Sequence, residues 1–183
     1  MGSVDSYKGV LKRYEASTEQ VRWYFDQFPG LIGNFPYEVT LAYLFLSTEK
    51  AHNRALYCGV VKLHRADSEI ADRVMNTHHM IRDGFLELYK NVFGHALSAA
   101  TVAKIKDAEK IRDRVIHGKD VTAPELRQAL VDVIEYAEAL NIDVAAIGGF
   151  EPFGNLRGFK GRGEPLDKST TRWLLKGLGF AIA

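Results

Sequence analysis

Arg112 and His117 pair a permanent cation with a group that exchanges protons near neutral pH, and four residues, Asp113-Arg114-Val115-Ile116, separate them. A guanidinium holds a phosphate through paired donors, and an imidazole can both take and give a proton. Together they can cut a phosphodiester without a metal. The imidazole would remove the proton of an attacking hydroxyl or protonate the departing oxygen. The guanidinium would offset the charge that builds on the phosphoryl oxygens.

Spacing alone does not single this pair out. With 6 His in 183 residues, an Arg four to six places before a His is expected about once by chance. Arg73 in fact stands five before His78 and six before His79. Three features favour Arg112 and His117: a polar Asp113 follows the Arg where the rival has Val74, Gly118 offers a helix stop just after the His, and a new helix start follows at once. The rival pair falls in the middle of an expected helix. The favoured pair is expected at an exposed helix end, where truncation of either side chain costs little stability.

The segment 111–118 resembles the signature of HEPN domains, helical proteins that include many metal-independent ribonucleases of bacterial defence and toxin systems. That signature is an Arg, four to six residues and a His, with a polar residue after the Arg, here Arg112, Asp113 and His117. The resemblance implies RNA transesterification, products ending in 2′,3′-cyclic phosphate or 3′-phosphate, no cofactor, and two protomers pairing so that two motifs face a shared cleft. Asp113 would orient Arg112 or its dimer mate. Arg114 and Lys119 are candidate phosphate contacts, as are Arg157, Lys160 and Arg162 further on. An antitoxin or a minimal nucleotidyltransferase is the kind of protein partner such a domain takes. The same resemblance allows a non-catalytic HEPN module that binds nucleotide, RNA or a protein.

On one undistorted helix Arg112 and His117 lie about 140° apart around the axis. Gripping one phosphate therefore needs a loosened last turn before Gly118, or a homodimer. The plainer alternative has Arg112 paired with Asp113 or Glu109 on the surface and His117 merely ending the helix.

Other candidates carry less. His78, His79 and the Glu49…His52 spacing invite a metal, but a di-iron bundle needs a second matching motif, so no metal site is assigned. His78 falls on an apolar stripe and reads as a core histidine. Cys58 sits in an apolar run and reads as a small core residue. As the only cysteine, it excludes an internal disulfide and a multi-cysteine zinc site, which suits a reducing cytoplasm. The glycine-rich 154–163 matches neither phosphate-loop nor dinucleotide fingerprints. It reads as a flexible basic arm, with Phe150, Phe153, Phe159 and Trp173 either stapling the tail to the body or stacking on bases.

Apolar residues make up 46% of the chain, enough for one core of ordinary size. The N-terminus carries no basic region followed by an apolar signal stretch, and the apolar run 41–46 is far too short to span a bilayer. A cytoplasmic protein with no membrane partner is expected. Residues 154–183 hold six cations against two anions, so the tail is basic while the remainder is slightly acidic. The tail is therefore expected to serve RNA affinity more than the fold.

Periodicity and caps predict an all-α, antiparallel bundle of about five helices over 18–147, after a weakly patterned segment 1–17 and before an irregular basic tail 148–183. The first helix starts at Thr18 and stops at Phe28-Pro29-Gly30. The second runs from Pro36 to about Arg65, and its first half is apolar nearly all round, which marks it as the central buried helix. The third spans Asp67 to Gly94. The fourth opens at Ser98, carries Val102, Ile105, Ile111 and Val115 on its stripe, and closes at Gly118. The fifth starts from a capping box of Thr122 and Glu125.

Overall fold

The computed structural model describes Val4, residues 6–77 and residues 82–182. Among them are nine helices and no strand: α1 Tyr7–Glu15, α2 Glu19–Tyr24, α3 Phe28–Asn34, α4 Tyr37–Leu63, α5 Ser68–Thr77, α6 Arg82–Phe93, α7 Ala99–Ile116, α8 Ala123–Gly148 and α9 Lys168–Gly177. The all-α expectation holds, but the described helices outnumber the five predicted. His78, His79 and Ile81 lie outside the described residues, and with them the rival Arg73–His78 spacing.

The differences have local causes. Ser6 caps α1 by accepting from the Gly9 amide, and Tyr14 anchors it by donating to the carbonyls of Arg22 at 2.9 Å and Phe25 at 3.2 Å. The segment 1–17 thus contains a helix that its sparse apolar pattern hides. Pro29 does not break the chain, because α3 begins at Phe28 and proline is tolerated in the first helical turn, where its missing N–H has no intrahelical partner. Of the helices expected from the pattern, α4 and α7 keep their predicted ends closely, whereas α8 runs on to Gly148.

The chain divides into two compact units. Unit 1 comprises Met1–Lys50, Ser98–Ile142 and Phe153–Asn155. Its core gathers Phe25, Phe28, Leu41, Leu44, Leu130, Ile134, Tyr136 and Leu140, all buried. Phe153 joins them through aromatic contacts with Tyr24 at 5.3 Å and Phe25 at 5.6 Å. Buried Asn141 holds that residue at both ends, donating to its carbonyl and accepting from its amide at 2.8 Å each. Both groups of the side-chain amide are thereby satisfied, as burial requires.

Unit 2 comprises Ala51–Leu97, Asp143–Pro152 and Leu156–Ala183. Gly59 lets the second half of α4 approach α6, since a Cβ there would lie 2.6 Å from Val92. Asp67 caps α5, accepting from the Ile70 amide, and the Asp67 amide donates to Thr171 of α9 at 3.0 Å. Thr171, Leu175 and Phe180 are buried, so the end of the chain belongs to this unit's core. Trp173, expected as the anchor, is 82% exposed. It falls on the opposite face of α9 from Thr171 and Leu175. Phe150 is buried within this unit at 8% exposure, and Phe153 within unit 1 at 0%.

Candidate active site

Helix α7 starts at Ser98, whose hydroxyl accepts from the Thr101 amide. Its buried positions are Thr101, Ile105 and Ala108, and the same alternating spacing of four and three reaches Arg112 next. The predicted stripe was rotated from this one: Val102, Ile111 and Val115 are only half-buried. Arg112 therefore continues the inward face. Its side chain is 12% exposed, with the Nη2 atom 3.1 Å from Asp113 Oδ1 and the Nη1 atom 3.9 Å from Glu49. Nε also donates to Asp113, at 3.3 Å. The guanidinium lies over the Phe45 ring, 4.4 Å from its centroid, where the ring's electron-rich face attracts it. The expectation of an exposed arginine is overturned: the stem is covered, and Phe45 and Glu49 complete its surroundings.

His117 caps the helix and is exposed. Its amide still donates to Asp113 O at 3.0 Å, so the last turn is not loosened. The turn closes beyond it, with Gly118 N bonded to Val115 O at 3.1 Å and Lys119 N to Arg114 O at 2.8 Å. That paired arrangement needs a left-handed residue, and Gly118 supplies it with φ of 65°. The offset between Arg112 and His117 survives. Among the described residues no hydrogen bond or ion pair joins the two side chains, and one points inward while the other faces water.

Beside Arg112 a cavity of 220 Å³ opens between α4 and α7 within unit 1, lined by Leu41, Phe45, Leu46 and Ile116 with Glu38 and Glu49 at its edge. Leu46 is 54% exposed and Ile116 67%. Phe35, which ends α3, and Val39 in the first turn of α4 are exposed as well.

No family model, curated protein or solved structure matches this chain.

The remaining candidates are placed differently. Arg114 is engaged locally, 2.6 Å from Glu125 and donating to the Asp120 carbonyl. Glu125 closes the expected capping box with Thr122. The Thr122 amide first, then Arg114 and the Thr122 hydroxyl, hold the Glu125 carboxyl down at about 2. Arg114 thus ties the loop 118–122 to the start of α8. Lys119 is exposed beside it, while Arg157, Lys160 and Arg162 are exposed in unit 2.

Two further groups are ruled out by desolvation. Cys58 is buried, and its thiol is pushed up to about 12, which leaves no thiolate for nucleophilic work. His52 is half-buried and stacks on Phe85 at 3.7 Å, and desolvation lowers its pKa to about 3, so it is held neutral. Phe45 and Glu49 were the residues missed around Arg112. Carrying the 101/105/108 spacing one step further would have flagged an arginine needing an inward partner.

Proposed function

We propose that this chain is a HEPN-like, metal-independent ribonuclease that works as a homodimer, in a bacterial defence or toxin–antitoxin setting. The observation that carries the reading is an apolar groove open to water beside an Asp113-held Arg112, on the helix that ends at an exposed His117. A second copy seated on that groove would cover Leu46 and Ile116. It would also bring two motifs to one cleft, which a single chain's geometry requires. Two imidazoles then divide the work. One takes the 2′ proton as O2′ attacks phosphorus. The other gives a proton to O5′ as the P–O5′ bond breaks, leaving a 2′,3′-cyclic phosphate. Arg112 neutralises the phosphoryl oxygens, with Asp113 fixing its plane.

A second reading rests on the burial of Arg112. A guanidinium covered by Phe45 and paired with Asp113 suits a non-catalytic HEPN module that binds nucleotide, RNA or a protein partner, such as an antitoxin or a minimal nucleotidyltransferase. Assembly and cleavage separate the two. Light scattering at micromolar concentration is expected to give a dimer for the wild type and a monomer without ribonuclease activity for Leu46→Glu. A wild-type monomer that cleaves RNA would defeat the composite-site account, and a dimer that never cleaves would favour the second reading.

A further inference from the structure

Unit 2 holds a cavity that the ribonuclease chemistry does not use. It measures 340 Å³ and lies where the segment 159–165 passes the end of α4, with Tyr57, Arg65, Ser68, Phe159 and Arg162 in its wall. Arg65 is the one non-glycine residue with positive φ among the described residues, at 59°. That conformation is strained for an L-residue, and glycine would take it freely. Its side chain is used nonetheless: Nε donates to the Glu164 carbonyl at 2.6 Å, and the Arg65 carbonyl accepts from the Leu166 amide at 2.7 Å. These bonds hold the segment against α4 and fix the guanidinium, while its two terminal nitrogens have no bond among the described residues. The Arg162 guanidinium and the Tyr57 and Ser68 hydroxyls likewise have no side-chain partner there.

Two carboxylates near the pocket, those of Asp67 and Glu69, are engaged elsewhere. Asp67 caps the Ile70 amide, and Glu69 pairs with Lys168 and Arg73. Phe159 is set edge-on to Phe150 at 5.7 Å, and Lys62 lies over its ring at 5.7 Å. Two guanidiniums suit a phosphate group, which accepts bidentate bonds. An aromatic ring beside them suits a planar base, and the hydroxyls suit a sugar. The volume falls at the small end of the range of about 300–1,000 Å³ for small-molecule sites, the size of one mononucleotide.

We propose that this pocket of unit 2 binds a free nucleoside monophosphate, with its phosphate on Arg65 and Arg162 and its base against Tyr57 or Phe159. The proposal stands apart from the chemistry of Arg112 and His117. Calorimetric titration of the full chain with AMP, adenosine and inorganic phosphate tests it. AMP is expected to bind one to one, with adenosine and phosphate each at least about tenfold weaker. Arg162→Ala should weaken AMP about tenfold or more with an unchanged melting temperature, because Arg162 is exposed. Arg65→Gly, which removes the guanidinium while relaxing the backbone, should weaken it similarly, and His117→Ala should bind AMP as the wild type does. No saturable AMP binding at millimolar concentration, adenosine binding as tightly as AMP, or unaltered affinity in Arg162→Ala would each overturn the proposal. A 5′-phosphorylated trinucleotide binding far more tightly than AMP would also overturn it, in favour of an RNA end.

Discussion

Truncating Arg112 should cost stability, although the same change at His117 should not. Arg112→Ala removes a guanidinium centred 4.4 Å from the Phe45 ring, a contact contributing about 1–2 kcal/mol when largely desolvated. Its 12% exposure means the methylene stem is lost from packing as well. The carboxylates it leaves behind, Asp113 at 30% and Glu49 at 68% exposure, regain water, so their lost pairing adds at most about 1 kcal/mol. The net expectation is about 2 kcal/mol. For a chain of this size each kcal/mol lowers the melting temperature by about 2–4 °C, giving a fall of about 4–8 °C. His117→Ala, at an exposed helix cap, should stay within about 0.5 kcal/mol. Thermal melts of the three proteins at pH 7, followed by circular dichroism, make the comparison. If Arg112→Ala melts within about a degree of wild type, the inward, ring-stacked placement of this arginine is wrong.

Desolvation keeps the His52 imidazole neutral in the fold with a pKa of about 3, below its ordinary 6.5. Because the unfolded chain takes up that proton first, the stability it contributes is complete above pH 6.5 and is lost as the pH falls towards 3. His52→Phe should flatten this limb of the melting temperature against pH, and parallel wild-type and variant curves would contradict the assignment. Deleting 154–183 should unfold unit 2, because Thr171, Leu175 and Phe180 leave its core. A truncated chain with the full helical circular dichroism of its remaining residues would show instead that the tail is an appendage. Trp173→Ala, by contrast, should change the melting temperature little, given the 82% exposure of that side chain; a fall of several degrees would contradict its placement.

What could be read from the sequence follows the strength of the physical signal. Helix α4 was legible because Pro36 opens it and its first half is apolar nearly all round, and α7 because Ser98 and Gly118 bracket it with a cap and a left-handed stop. The Thr122–Glu125 capping box marked the start of α8 directly. Helix α1 was not legible, since only Val10 and Tyr14 are buried in its nine residues and its anchor is a tyrosine hydroxyl reaching backbone carbonyls. The role of the tail was hidden for a related reason: its charge is visible in composition, whereas Leu175 and Phe180 become core only through tertiary packing. At the candidate site, residue types and order were legible but orientation was not. A polar residue in an apolar stripe breaks the pattern, so the stripe was drawn through Ile111 rather than through Arg112. Phe45 and Glu49, more than sixty positions away in sequence, could be brought to Arg112 only by the fold.

The central claim is most directly tested by incubating RNA with the wild type and with His117→Ala in excess EDTA, and analysing the product ends. The account predicts wild-type cleavage that leaves 2′,3′-cyclic phosphate or 3′-phosphate ends, falling by about 10²–10⁴-fold in the variant, as expected when a proton-transfer group is removed. Cleavage that EDTA abolishes, or that persists undiminished in His117→Ala, would contradict it.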